Sequence, residues 1–225
     1  MIKIYILDAY GADGEEMLTS ALPDYIRETK NKRQRRERIF AYMLLSYAFS
    51  DFTRSSLPEI IRDSYGRPSA EGAGVDFNIS HDNDVIALII SDEGRVGIDV
   101  QSHSFKTSER IVRFTKEICE GEAFLKERTG ASELSRCFVK RLCYAEDKGF
   151  YPSENNELSP PDKASVISDW TLIEALVKCD GRGLQKLKDA FEILAECKTF
   201  ERSFISRNGE SYALSAVLKK EPITH

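Results

Sequence analysis

Two acidic residues are placed where they could share a chemical task. Asp99 lies in the apolar segment VGIDV, where a carboxylate costs free energy unless water, a donor or a cation satisfies it. Glu174 lies in DWTLIEALVK, four residues from both Trp170 and Lys178, so these three side chains share one face of a helix. Two carboxylates from different elements can hold one Mg²⁺, which prefers oxygen ligands and bridges substrate phosphates. The spacing leaves open whether the two acids meet.

Lys178 follows Glu174 by one helical turn. A lysine in that position could stabilise the charge that develops on a transferring phosphoryl group. The alternative is an exposed i,i+4 ion pair that stabilises the helix by only about 0.3 kcal/mol. The sequence alone does not decide between these two interpretations.

The segment 78–81, Asn-Ile-Ser-His, is predicted to end a strand and enter a polar turn. A hydroxyl, backbone amides and an imidazole gathered in a turn can bind phosphate. An ordinary turn in which the polar side chains cap local backbone groups is the other interpretation.

The segment 30–38 reads KNKRQRRER and is strongly basic in a chain whose net charge is −5. It could attract an anionic ligand, form a solvated helix face or bind nucleic acid. The acidic balance of the whole chain argues against nucleic acid, because that partner selects for net positive charge.

The sequence pattern predicts a mixture of helices and short strands. Strands are predicted over 2–7, 75–79, 85–90, 95–100, 201–206 and 211–218, and helices over 23–49, 108–113, 115–128 and 166–179. The strands 85–90 and 95–100 are predicted to form a hairpin across Asp92-Glu93-Gly94, and Asn208-Gly209 predicts a second hairpin at the end of the chain. Segment 64–74 is predicted to be a loop, and segment 129–165 a polar excursion.

Five motifs together resemble the Sfp-type 4′-phosphopantetheinyl transferase family. They are Tyr65-Gly66-Arg67-Pro68, Phe77-Asn78-Ile79-Ser80-His81, Gly97-Ile98-Asp99-Val100-Gln101, the helical stretch 109–124, and 170–178 (WTLIEALVK) followed by Gly181-Arg182-Gly183-Leu184. Each motif is weak alone, but their order along the chain is that of the family.

The resemblance implies an α+β fold that is pseudo-duplicated, with two similar halves that each pack a small antiparallel sheet on helices. The expected halves are 1–100 and 101–225, with an insert at about 129–165 and a coenzyme A site between the halves. The implied reaction transfers the 4′-phosphopantetheine group of coenzyme A to a serine of an acyl or peptidyl carrier protein. The expected cofactor is Mg²⁺, with Mn²⁺ as an alternative, and the expected state is a monomer.

The resemblance also assigns roles to residues of this chain. Asp99, Glu174 and Gln101 would be metal ligands, Glu174 would activate the serine hydroxyl, and Lys178 would stabilise or protonate the leaving phosphate. Ser80, His81 and Arg67 would bind the nucleotide phosphates, and Arg27 and Lys30 would reach the 3′-phosphate.

Two positions depart from the family pattern. Residue 101 is Gln where many members have a second acidic ligand, and residue 173 is Ile where the family usually has Lys. Each change removes a charge from the expected site. The alternative function is therefore a catalytically impaired homologue that binds coenzyme A or a carrier protein.

Composition limits the remaining possibilities. The N-terminal segment MIKIYILDAY lacks the order of a signal peptide, and no apolar run is long enough to span a membrane. The five cysteines are scattered and include no CxxC pair, which favours reduced thiols and a cytoplasmic location. Membrane and nucleic-acid partners are not expected.

Overall fold

The computed structural model describes residues 1–17, 22–103, 163–183 and 191–221, together with residue 223. The helices predicted over 108–113 and 115–128, the family-like stretch 109–124 and Leu184 lie outside the described residues. Of the predicted excursion 129–165, only 163–165 are described.

The first sheet contains β1 (Ile2–Asp8), β4 (Asp76–Asp82) and β5 (Val85–Ser91) in the antiparallel order β1-β5-β4. All seven residues of β5 are buried because both faces of this strand are covered. Ile86, Leu88 and Ile90 pack against the helix α2 (Lys32–Thr53), and the alternate residues face the second sheet. The predicted strands over 2–7 and 85–90 are confirmed.

The second sheet contains β6 (Gly94–Ser102), β7 (Cys197–Ile205) and β8 (Ser211–Lys220) in the antiparallel order β6-β8-β7. Its outer face packs against α3 (Lys163–Asp180) through an apolar cluster that includes Leu176 and Val217. The layers are therefore α2, first sheet, second sheet and α3. The predicted α3 helix and the terminal hairpin are confirmed.

The two sheets are joined by side chains of β4. Buried backbone N–H groups need acceptors, and four N–H groups of β6 find them on alternate residues of β4. The pairs are Val96 N with Asp76 Oδ2 (2.8 Å), Ile98 N with Asn78 Oδ1 (3.0 Å), Val100 N with Ser80 Oγ (3.4 Å) and Ser102 N with Asp82 Oδ2 (2.7 Å). The prediction that 78–81 enters a turn is wrong, because these polar side chains are bonded from within a strand.

The predicted hairpin between segments 85–90 and 95–100 is also wrong. β5 pairs with β1 and β4, whereas β6 pairs with β8 along nine residues, from Gly94 opposite Lys220 to Ser102 opposite Tyr212. A side chain at Gly94 would place its Cβ 2.1 Å from the backbone oxygen of Lys219, so glycine is needed where β6 meets β8. The partner of β6 is therefore the distant strand β8, which pairs with all nine of its residues, and not the neighbouring strand β5.

Two further boundaries differ from the prediction. The single helix expected over 23–49 is divided into α1 (Asp24–Arg27) and α2, because Asn31 caps a new helix by accepting a hydrogen bond from Gln34 N at 3.0 Å. The expected loop 64–74 contains β3 (Pro68–Ala70), which pairs with β2 (Ile60–Arg62).

The described architecture is a mixed one with small antiparallel sheets, compatible with the expected α+β class. The duplication and the division into 1–100 and 101–225 stay predictions. Among the helices that the structure describes, none combines the length and apolar character that a membrane crossing requires.

Candidate active site

Asp99 is the buried centre of a polar cluster on β6. It is 1% exposed, and its charge is satisfied by three donors. Ser80 Oγ and Lys178 Nζ each lie 2.7 Å from Oδ1, and Gln101 Nε2 lies 2.9 Å from Oδ2. The carboxylate is therefore held by groups from β4, α3 and β6 itself.

Glu174 meets this cluster from α3. Gln101 Nε2 is 3.1 Å from Glu174 Oε2 and 2.9 Å from Asp99 Oδ2, so one amide nitrogen bonds both carboxylates. The two acids, which are 75 positions apart in the sequence, converge on one point. The structure thus brings together the two residues whose meeting the spacing left open.

The close approach of α3 to β6 depends on Gly97. A Cβ at this position would lie 2.0 Å from the backbone oxygen of Ala175 and 2.6 Å from the backbone nitrogen of Cys179. Only a residue without a side chain lets the helix lie this near the strand. In the sequence Gly97 is visible only as a motif residue, because its packing role depends on contact with the distant helix α3.

Lys178 is anchored across elements. Its Nζ is 2.7 Å from Asp99 Oδ1 and 2.9 Å from Ser80 Oγ, and its side chain is 30% exposed. The ammonium group therefore bonds to β6 and β4 while part of the side chain reaches solvent. This arrangement does not fit the interpretation of an isolated exposed pair with Glu174.

Arg67, in the segment between β2 and β3, lies beside the Asp99 cluster and bonds groups of β4, β6 and α3. Its guanidinium is 2.5 Å from Asp76 Oδ2 and 2.9 Å from the Val96 oxygen, and it also donates to the Lys178 oxygen near the end of α3. The Arg67 and Asp76 side chains are only 8% and 7% exposed. Arg67 therefore ties the first sheet to β6 and to the end of α3 that carries Lys178.

A cleft of about 270 Å³ opens beside the cluster. Its walls are the segment 65–68 on one side and the exposed end of α3 on the other. The lining residues are Tyr65, Gly66, Arg67, Pro68, Asn78, Glu174, Val177, Lys178, Gly181 and Gly183. A substrate in this cleft would contact Glu174 and Lys178, which form part of its wall.

Other residues predicted for the site are distributed differently. Ser80 bonds to the Asp99 cluster, whereas His81 is exposed and lies on the opposite face of β4. Arg27 bonds the Leu22 oxygen at 3.0 Å and pairs with Asp24. Lys30 is exposed just before α2. In the described part of the chain, His81, Arg27 and Lys30 are not among the residues that line the cleft.

Arg36, in the basic segment 30–38, bonds three separate protein groups. Its guanidinium bonds the Ala12 oxygen at 2.7 Å, the Ala9 oxygen at 2.6 Å and Asp84 Oδ1 at 2.7 Å. It also lies over the Phe40 ring, 5.2 Å from the ring centroid. This arginine holds the segment after β1 against α2.

Arg35 and Arg38 also bond to neighbouring protein groups. Arg35 forms a two-pronged pair with Glu15, at 2.7 and 2.8 Å, and Arg38 donates to Thr29 Oγ1 at 2.8 Å. Much of the positive charge of the segment therefore stabilises the fold around α1 and α2.

The donors around Asp99 and Glu174 suit a hard divalent cation. Mg²⁺ takes carboxylate and amide oxygens and keeps several waters. Gln101 presents its nitrogen to both acids, so a cation there would require this amide to turn and offer its oxygen instead. In the part of the chain that is described, no three His, Cys, Asp or Glu side chains form a metal-binding group. The candidate metal ligands are therefore two carboxylates, from Asp99 and Glu174, and the amide of Gln101.

Comparison with known proteins gives relatives of one kind. The chain is 43% identical over 81 residues to the 4′-phosphopantetheinyl transferase AcpT of Escherichia coli K12, an alignment that covers 36% of this chain and 40% of that protein. It is 48% identical over 48 residues to the protein of the same name in Salmonella typhimurium, over 21% of this chain and 25% of the relative.

A Haemophilus influenzae protein, whose name assigns the same activity provisionally, is 26% identical over 179 residues, 72% of this chain and 76% of the relative. The chain thus spans about two fifths of the AcpT protein of E. coli and about three quarters of the more distant relative. No protein-family model matches the sequence. The resemblance to this family is nonetheless confirmed: the chain is similar to proteins named 4′-phosphopantetheinyl transferase.

Proposed function

We propose that the protein transfers the 4′-phosphopantetheine group of coenzyme A to a serine of an acyl or peptidyl carrier protein, with a divalent cation at Asp99 and Glu174. The observation that supports this most is the shared amide nitrogen of Gln101, 2.9 Å from Asp99 and 3.1 Å from Glu174. The names of the relatives point to the same activity.

The proposed metal ligands are Asp99, Glu174 and, after rotation of its amide, Gln101. Magnesium bound there would neutralise charge on the pyrophosphate of coenzyme A and hold its β-phosphorus in place. Mn²⁺ could substitute, because it accepts the same oxygen ligands.

Glu174 would accept the proton of the carrier serine, either directly or through one water. It is suited to this role because it is only partly buried and forms part of the cleft wall, where a hydroxyl could approach it. The serine oxygen would then attack the β-phosphorus of coenzyme A.

Lys178 would stabilise or protonate the phosphate that leaves as adenosine 3′,5′-bisphosphate. Its ammonium group is held 2.7 Å from Asp99 at the wall of the cleft, so it is oriented before a substrate arrives. A fixed positive charge at this point favours the transition state, in which charge passes to the leaving group.

The remaining assignments concern the nucleotide. Ser80, His81 and Arg67 would bind its phosphates, and Arg27 and Lys30 its 3′-phosphate. Because His81, Arg27 and Lys30 do not line the described cleft, they would contact parts of the nucleotide that extend beyond it. Arg67 lines the cleft but is bonded to Asp76 and Val96, so it would contact phosphate only with groups that these bonds leave available. We also propose a monomer that acts in the cytoplasm on acidic carrier domains, which exposed basic side chains would attract.

The experiment is a direct mass measurement. The protein is incubated with an apo carrier protein, coenzyme A and Mg²⁺, and the carrier is then measured as an intact protein. The proposal expects the carrier to gain the mass of one phosphopantetheinyl group, on the serine and only when Mg²⁺ is present. Carriers from fatty acid, polyketide and peptide synthesis should be compared, since each is a potential partner.

A catalytically impaired homologue is the alternative. Ile173 stands where the family usually has a lysine, and it is 1% exposed. Because isoleucine is uncharged, this position supplies the site with no positive charge. This alternative expects coenzyme A to bind, as measured by calorimetry, with no mass gain on any carrier. Binding without transfer would therefore replace the first proposal by the second.

A further inference from the structure

Two cysteines pack in the same apolar cluster where α3 meets the second sheet. Cys179 is the residue after Lys178, is 1% exposed and belongs to the apolar cluster beneath α3. Cys197 begins β7, is half-buried and packs against the same cluster. Both are free thiols, and each thiol is the strongest influence on the pKa of the other.

Strand register places the two cysteines at the same level of the second sheet. The Cys179 thiol lies 3.4 Å from the backbone oxygen of Arg95 on β6. Arg95 and Cys197 are both paired with Lys219, from opposite sides of β8. The end of α3 therefore crosses the sheet at the level of Cys197.

The two thiols have unequal surroundings. The pKa of Cys197 is lowered, first by its interaction with Cys179 and less by the charge of Lys219, while burial and the charges of Glu196 and Glu221 oppose this shift. The pKa of Cys179 is raised by its interaction with Cys197 and by burial. The more exposed thiol is thus the one that more readily becomes a thiolate, and a protonated thiol lies next to it. This is the arrangement found in pairs that form disulfides under oxidation.

We propose that Cys179 and Cys197 form a reversible disulfide when the protein meets a hydroperoxide. The Cys197 thiolate attacks one peroxide oxygen, the O–O bond breaks, and Cys197 becomes a sulfenic acid while hydroxide leaves. Cys179 then attacks this sulfur, the S–S bond forms, the S–O bond breaks, and the oxygen leaves as water after taking up the Cys179 proton. In sum, two thiols and one hydrogen peroxide give one disulfide and two waters.

The disulfide would tie the last turn of α3, which carries Lys178, to the first residue of β7. The bond would close a loop of 19 residues, counted from 179 to 197 inclusive. Such a cross-link restricts the unfolded chain, so the oxidised protein should melt about 5 °C above the reduced one. This expectation is independent of any transferase activity.

The test is a peptide map of the full-length protein after treatment with stoichiometric hydrogen peroxide. Trypsin cleaves after Lys178, Arg182, Lys188 and Lys198, so the pair would appear as the peptide 179–182 joined to the peptide 189–198. The proposal expects this joined peptide in the folded protein, its loss on addition of dithiothreitol, and a rise in Tm that dithiothreitol reverses.

Single substitutions separate the role of Cys197, which attacks the peroxide, from that of Cys179, which attacks the sulfenic acid. In Cys179→Ala, Cys197 should persist as a sulfenic acid that dimedone labels; in Cys197→Ser, Cys179 should stay reduced. Thermal melts of both variants confirm that they are folded. The proposal is overturned if the folded wild-type protein gives no joined peptide, if the peptide forms only in urea, or if peroxide joins either cysteine to Cys119, Cys137 or Cys143 instead.

Discussion

Two charged regions of this protein are both candidates for a functional site in the sequence, but their side chains make different kinds of contact in the structure. The basic segment 30–38 is continuous in sequence, and Arg36 within it bonds two backbone oxygens and Asp84. The Asp99 cluster is discontinuous, with members from three elements, and Glu174 and Lys178 at its edge line a cleft.

The difference shows that a dense run of like charges on one helix can stabilise neighbouring loops through hydrogen bonds and ion pairs. Charges brought together from distant segments are harder to explain by folding alone, because burying them costs free energy that a structural role does not require. We therefore propose a functional role for the Asp99 cluster and a stabilising role for most of the basic segment.

The largest expected effect is on the cluster. Asp99→Ala or Glu174→Ala should each lower the rate of transfer by at least about 1,000-fold, because each removes a proposed metal ligand. Glu37→Ala, which changes an acid within the basic segment, is the control and should keep the wild-type rate. Circular dichroism should show that all three are folded. Full activity of either cluster variant in saturating Mg²⁺ would remove that residue from the mechanism.

Lys178→Ala should lower kcat by about 100-fold and change the affinity for coenzyme A much less. Its charge is needed mainly as the bond to the leaving phosphate breaks. Single-turnover rates and calorimetric binding of coenzyme A give the two quantities separately. A loss of affinity with an unchanged rate would mean that the lysine serves only to hold the substrate.

Gly97→Ala should destabilise the protein by about 3 kcal/mol, because the new methyl group meets the backbone of α3. Ala175→Gly in the same chain should not rescue it, since the clash involves the backbone oxygen of residue 175. Urea unfolding measures both variants. Wild-type stability for Gly97→Ala would show that α3 can move away from β6 freely, which would weaken the argument for a pre-formed cluster.

The basic segment provides a matched pair of substitutions. Arg36→Ala should lower the free energy of unfolding by about 2 kcal/mol, since Asp84 and the Ala12 and Ala9 carbonyls lose the guanidinium donor and only the Ala9 oxygen keeps a second one, from Ala12 N. Arg33→Ala should change it by less than about 0.5 kcal/mol, because that side chain is 75% exposed. Equal effects of the two, measured by urea unfolding, would contradict the structural role given to Arg36.

The smallest effect is expected for Gln101→Glu. A third carboxylate beside Asp99 and Glu174 should lower the Mg²⁺ concentration for half-maximal activity by about 3- to 10-fold. Without metal the same change should reduce stability, because it replaces an amide donor by a like charge. An unaltered Mg²⁺ titration would show that residue 101 does not face the metal.

The sequence predicted the acids of the cluster but not the way they are held. Asp99, Glu174, Gln101 and Lys178 were all recognised from motifs, and the structure brings them together. The strand that pairs with β6 could not be predicted from the sequence, because the pairing with β8 joins segments more than 100 residues apart. The turn residues between β5 and β6 favour β5 as the partner instead.

The polar alternation of β4 was also missed as a structural signal. Residues 76, 78, 80 and 82 are Asp, Asn, Ser and Asp, a period of two that is typical of one strand face. A face so polar suggests a turn or a ligand, and only the neighbouring edge of β6 reveals that it accepts backbone hydrogen bonds.

The most direct test of the account is whether Asp99 and Glu174 bind one divalent ion together. Binding of Mn²⁺ in the presence of coenzyme A can be followed by electron paramagnetic resonance, through loss of the signal of the free ion. We predict one site in the wild-type protein, and an affinity for Mn²⁺ at least about 10-fold weaker in both Asp99→Ala and Glu174→Ala. Wild-type affinity in either variant would contradict the claim that the two carboxylates share the ion.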